Sequence, residues 1–217
     1  MERILYFSRN PNPRLAVAVA RYLQAPVSLE WASPFDPAES AKFKALNPTQ
    51  LLPILVEDGK PLWEADAIAC RLSMMTGSDF WRTDSEMPEL IRWISWAKAN
   101  FVWACDIVHF EFGTKQRYGF GPVDQDKVTE GEALFHKSAE ILDNHLSERM
   151  HLLDSGLSYA DFRMATFLPF NDAAGLPVAD YPNLSRWHDG LMRLPGWADP
   201  FEGLHAPDLP DVPKRLR

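Results

Sequence analysis

Two short apolar runs, Pro53-Ile54-Leu55-Val56-Glu57 and Pro61-Leu62-Trp63, flank the dipeptide Asp58-Gly59. Asp-Gly suits the positive φ angles of a two-residue turn, so these runs read as an antiparallel hairpin. After Glu64 the apolar residues Ala67, Ile68, Leu72 and Met75 follow helical spacing, and Thr76-Gly77-Ser78 supplies a stop with glycine near the C-cap. Upstream, Arg3-Ile4-Leu5-Tyr6-Phe7 is a strand closed by a turn-rich stretch from Ser8 to Pro13. Leu15, Val19 and Leu23 then mark a helix that begins just after Pro13 and ends at Pro26. Val27-Ser28-Leu29-Glu30-Trp31 alternates like a second strand, and residues 38–46 form a short helix broken by Asn47-Pro48. The order is βαβαββα.

Beyond residue 80 no comparable strand series occurs. Leu90, Ile91, Ile94, Ala97, Phe101, Cys105 and Val108 predict one long helix, and Phe135, Ala139, Leu142 and Leu146 predict another. Ser158-Tyr159-Ala160-Asp161 has the form of a capping box that opens a third helix. Pro182 to His188 opens a fourth, which Pro195-Gly196 ends, and the proline-rich stretch from Pro207 to Pro213 is expected to run over the surface.

Composition narrows the functional classes. A net charge of -8, with no basic cluster apart from Lys214-Arg215-Leu216-Arg217, argues against nucleic acid as a partner. No apolar stretch is long enough to span a bilayer, and Met1-Glu2-Arg3 leads into only four apolar residues, too few for a secretory signal, so the expected location is cytoplasmic. The two cysteines, Cys70 and Cys105, sit in apolar helical patterns and read as buried thiols, not as a disulfide. The six histidines have no short ligand spacing, so no metal is expected.

Asn47-Pro48-Thr49-Gln50-Leu51-Leu52-Pro53-Ile54-Leu55, followed by Asp58-Gly59 and Leu62-Trp63-Glu64-Ala65-Asp66-Ala67-Ile68, resembles the glutathione-site signature of the glutathione transferase family. Ser158 to Asp161 and Tyr181 to Trp187 resemble that family's later helix-capping box and late helix. The resemblance is to bacterial, cytosolic-type members. It implies a thioredoxin-like α/β domain with a mixed four-stranded sheet over residues 1–77, a linker over 78–86, and an all-α helical domain with an irregular tail over 87–217. It also implies a homodimer that takes glutathione as co-substrate and a small, mostly apolar electrophile as acceptor.

The resemblance assigns roles as well. Pro53 is expected to be cis, with the backbone of Leu52 pairing with the cysteinyl part of glutathione. Glu64 is expected to accept from the γ-glutamyl ammonium. Where the family usually carries serine this chain has Ala65, whose backbone amide still donates, and Leu51 stands where relatives commonly have a polar side chain. Arg14, Lys42 and Gln50 are candidates to reach the peptide's carboxylates. Trp96 and Trp103 are candidates to line the acceptor site.

Thiolate chemistry needs a hydrogen-bond donor near the amino end of the first helix. Ser8, Asn10 and Asn12 compete for that role; the resemblance, which sets Asn12 near the position where several classes of the family carry cysteine, serine or asparagine, implies the preference order Asn12, Asn10, Ser8. An amide stabilises a thiolate but takes no proton from a thiol, so deprotonation falls to solvent or substrate. The turn-forming habits of the same residues are a competing explanation of the loop. Two other functions stay open: a non-catalytic binding or scaffold protein on this fold, and a glutathione-dependent reductase that uses no protein thiol.

Overall fold

The computed structural model describes residues 2–215. Met1, Leu216 and Arg217, which belong to the terminal stretches considered above, lie outside the described residues. The chain divides into two compact units, one of residues 1–81 with 193–208 and the other of residues 82–192 with 209–217.

The first unit follows the βαβαββα order. It runs β1 (Arg3–Phe7), α1 (Pro11–Tyr22), β2 (Ser28–Trp31), α2 (Ser40–Leu46), β3 (Ile54–Glu57), β4 (Lys60–Trp63) and α3 (Ala65–Thr76). The sheet order is β2-β1-β3-β4, with β1 parallel to β2 and antiparallel to β3, and β3 antiparallel to β4. This is a mixed four-stranded sheet. Asp58 and Gly59 have φ of 46° and 80°, the left-handed pair that a type I′ turn requires. Pro61, which has no N–H to give a ladder, is accommodated because β4 is an edge strand.

One face of the sheet packs Tyr6 and Ile54 with Phe43 of α2 and Ala32. A second cluster joins Phe7 and Val17 of α1 to Phe201 and Ala206. The expectation that residues 87–217 form one domain therefore needs amendment, because residues 193–208 supply core side chains to the sheet unit. Within that return segment Pro195–Ala198 makes its own turn of helix. Pro195, expected to end a helix, starts one instead, as proline's fixed φ permits at a first helical position.

The second unit is helical: α4 (Met87–Ala99), α5 (Phe101–His109), α6 (Lys115–Tyr118), α7 (Gln125–His145), α8 (Tyr159–Met164), α9 (Asn171–Ala174) and α10 (Pro182–Leu191). A π-helical turn, Phe110–Thr114, links α5 to α6. The single long helix expected across residues 90–108 is divided at Asn100, where φ is -132° and ψ is -90°. The Asn100 side-chain amide donates to the Trp96 carbonyl at 2.9 Å, competing with the backbone for a helical acceptor. Leu90, Ile94 and Ala97 are buried before the break, and Phe101, Cys105 and Val108 after it, so the apolar period conceals the interruption. Ile91 leaves the stripe and is exposed. The capping box at α8 forms as expected, with the Ser158 N–H donating to Asp161 Oδ2 at 3.0 Å.

Candidate active site

Sheet register gathers the candidate residues at one end of the first unit. Tyr6 lies opposite Ile54, Ile54 opposite Trp63, and Phe7 opposite Trp31. Just beyond this row, β1 leaves through Ser8, β3 is entered through Leu52 and Pro53, and β4 leaves through Glu64 into α3. Three segments far apart in sequence thus meet because their strands pair.

The Leu52–Pro53 peptide is cis, and Pro53 is buried. Leu52 is half-buried against the Tyr6 and Phe43 cluster, and its backbone precedes the β3 ladder, which begins at Ile54. Asn47, which ends the helix before it and opens the signature segment, organises the approach. Its side chain donates to the Leu51 carbonyl at 2.9 Å and accepts from the Thr49 N–H and hydroxyl, both at 3.0 Å. The Asn-Pro-Thr spelling is the local signal for such an Asx turn. Leu51 is 59% exposed, so its apolar side chain faces solvent.

Glu64 is exposed and has φ of 75° and ψ of 124°, an unusual conformation for a residue with a Cβ, immediately before α3. Ala65, the first residue of α3, is buried. Its backbone N–H is one of the amino-terminal groups that no helical carbonyl reaches.

The β1 to α1 connection is shorter than expected. The helix starts at Pro11, which leaves Ser8, Arg9 and Asn10 as the loop and puts Asn12 in the first helical turn, where it is exposed. Asn10 is the N-cap residue. Its carbonyl accepts from the Arg14 N–H at 2.9 Å, while its side chain turns back and donates to Ser8 Oγ at 3.2 Å. Accepting that bond leaves the Ser8 hydroxyl proton to donate elsewhere. Pro11 and Pro13 have no N–H, so Asn12 alone among the first three helical residues presents a backbone donor.

Arg14 and Gln50 are committed to other partners. Arg14 is buried, donates to the carbonyls of Trp197 and Ala198, and lies 4.9 Å from the Trp197 ring centroid. Burial lowers its guanidinium to about 10, which leaves it charged at neutral pH. Gln50 has φ of 56°, and its amide nitrogen donates to Ser40 Oγ at 2.8 Å and to the Pro34 and Ser40 carbonyls. Both side chains hold the fold and are withdrawn as carboxylate donors. Lys42 is half-exposed, 3.6 Å from Glu39 and 4.9 Å from the Tyr6 ring centroid.

In the helical unit Trp96 is half-buried, edge-on to Trp93 at 5.6 Å, and Trp103 is 50% exposed. Burial raises both Cys70 and Cys105 above the usual thiol range, so neither is activated as a thiolate. Among the described residues no group of three or more His, Cys, Asp or Glu side chains is placed to hold a metal.

The model of the glutathione S-transferase N-terminal domain matches residues 2–70, and that of the C-terminal domain matches residues 98–195. The chain belongs to the glutathione S-transferase family. Solved transferases share the fold at low identity. One is glutathione S-transferase I from mais, in complex with an atrazine glutathione conjugate: TM-score 0.81, 20% identity, covering 92% of this chain and 96% of that one. Another is glutathione transferase F7 from Populus trichocarpa: TM-score 0.81, 19% identity, covering 94% and 99%. A third is a glutathione S-transferase from Pseudomonas fluorescens: TM-score 0.78, 20% identity, covering 90% and 97%.

Proposed function

We propose that this transferase joins the sulfur of glutathione to a small, mostly apolar electrophile. The convergence of Ser8, Leu52, Pro53, Glu64 and Ala65 at one end of the sheet supports this reading most directly. The backbone of Leu52, immediately before the cis bond and the start of β3, is the candidate to pair with the cysteinyl unit. Glu64 and the Ala65 N–H offer an acceptor and a donor to the γ-glutamyl end. The thiolate falls to the Ser8–Asn10–Asn12 group, where the Asn10 to Ser8 bond favours Ser8 as the terminal donor and the exposed Asn12 as its rival. In the reaction a sulfur–carbon bond forms as the electrophile releases a leaving group with its electron pair or opens a π bond onto a neighbouring atom, the thiol proton passes to solvent or to the substrate atom that received that pair, and the protein contributes orientation and charge stabilisation. The mais enzyme, which shares this fold, is in complex with an atrazine glutathione conjugate, and that supports glutathione conjugation as the reading. We further place the protein in the cytoplasm as a homodimer; exposed Leu51, Trp63 and Met74 are apolar surface that a second copy would cover.

Calorimetric titration with glutathione, followed by turnover of a chromogenic electrophile in Ser8→Ala, Asn10→Ala and Asn12→Ala variants, tests the reading. Binding and a loss of about 10²-fold in kcat in one variant would identify the donor. Absence of saturation at millimolar glutathione would favour the scaffold reading, for which the missing hydroxyl at Ala65 is the motivating observation.

A further inference from the structure

The loop that carries Ser8 and Asn10 is tied to a distant part of its own unit. Arg9, between them, directs its Nε to the Ala206 carbonyl at 2.7 Å, and its guanidinium carbon lies 4.7 Å from the Phe201 ring centroid. Its Nη2 is 3.3 Å from Asp208 Oδ1, but that carboxylate is 89% exposed and the pair is worth little in water. Phe201 in turn stacks on Phe7, the last residue of β1, with ring centroids 5.6 Å apart and planes inclined by 21°. Ala206 is buried in the cluster that holds Phe7 and Val17.

Two more arginines fasten the same segment from α1. Arg14 donates to the Trp197 and Ala198 carbonyls, and Arg21 donates to the Pro200 carbonyl at 3.3 Å and the Glu202 carbonyl at 2.7 Å. A strap without regular hydrogen-bonded structure beyond residue 198 is thereby given fixed backbone positions. Arg14 and Arg21 act on the body of the helix. Arg9 acts on the loop itself.

We infer that Arg9 is a positioning residue, through which the strap Phe201–Asp208 sets where the Ser8 hydroxyl and the Asn10 amide lie. This rests on the reading of that loop as the thiolate site. A donor aimed at a thiolate is effective only over a few tenths of an ångström, and the Asn10 to Ser8 bond ties two loop residues to each other without fixing either to the sheet. The planar guanidinium bonds the Ala206 carbonyl and covers the Phe201 ring at once. A lysine ammonium keeps the charge but not that fork.

Arg9→Lys and Arg9→Gln, made in the full chain, separate geometry from charge. Both are expected to lower kcat about tenfold while KM for glutathione stays within about twofold. Both are also expected to raise the apparent thiol pKa in the pH profile and to speed hydrogen exchange at the amides of residues 8–10 and 201–208, with Tm within about 4 °C of the parent. Retention of parental kcat and pH profile by Arg9→Lys would assign the effect to charge and overturn the inference. So would unchanged exchange in the loop, or a rise in KM at constant kcat. If the parent neither binds nor turns over glutathione while exchange still accelerates in both variants, the transferase reading falls and the coupling of strap to loop stands.

Discussion

The indole N–H of Trp187 donates to Oδ1 of Asp161 at 2.9 Å, and both residues are buried. The same carboxylate accepts from the Leu152 N–H at 3.0 Å and, through Oδ2, from the Ser158 N–H at 3.0 Å. One side chain thus satisfies a helix start, a loop and a second helix. Asp161→Ala is expected to destabilise the protein by about 3–5 kcal/mol, because it strands several buried donors. Ser158→Ala should cost about 1 kcal/mol, the usual loss for a cap. Urea denaturation measures both, and equal effects from the two substitutions would contradict the assigned hierarchy.

Gly131 lies where α7 crosses α5. A Cβ there would come within 2.7 Å of Val108 Cγ2 and 2.9 Å of Ile107 Cγ2. Alanine's helix propensity favours Gly131→Ala by up to about 1 kcal/mol, whereas the clash costs roughly 1–3 kcal/mol. The clash should win, and thermal denaturation should show a lower Tm.

Ala65→Ser restores a hydroxyl at the amino end of α3 without changing the backbone. If glutathione's γ-glutamyl carboxylate lies there, the variant gains about 1 kcal/mol, or roughly fivefold in Kd. Calorimetry reads this directly, and unchanged affinity would place that end of glutathione elsewhere.

One buried and one partly buried group in the helical unit give opposite pH dependences. Burial, together with the Arg117 guanidinium, pushes His109 from 6.5 to about 4. The unfolded chain therefore binds more protons at this position between those values, and the stability contributed by neutral His109 is lost as pH falls through the window. Burial lifts the Asp106 carboxyl from 3.8 to about 6, partly opposed by Arg163. Here the native state binds the extra proton, so stability is lost as pH rises from 3.8 through 6. Asp106→Asn should therefore stabilise the protein by on the order of 1–3 kcal/mol at pH 7.5, with the gain shrinking toward pH 4. Urea denaturation at both pH values checks the sign; an equal gain at each would refute it.

What the sequence disclosed was mostly local. Asp58-Gly59 encodes its turn in two residues, and Ser158 with Asp161 encodes a helix start in four, so both are legible without partners. The apolar period located the helices but not the break at Asn100, since the stripe resumes in register after it. Family resemblance pointed to Leu52, Pro53 and Glu64, and sheet register brings them to one end. Arg14 and Gln50 are different. Each looks like a polar surface residue in sequence, and only contacts as remote as Arg14 with Trp197, 183 residues apart, reveal their commitment to the fold. Arg9 was unreadable for the same reason.

The return of residues 193–208 to the sheet also bears on the order in which the protein can be made. When β4 and α3 have left the ribosome, Phe7 and Val17 still lack Phe201 and Ala206, their neighbours in the finished core. The amino-terminal unit must therefore wait, partly open, while the whole helical unit is synthesised. Its last closing step comes late in translation, and that interval is when the strand ends that form the candidate site are most exposed to mispairing.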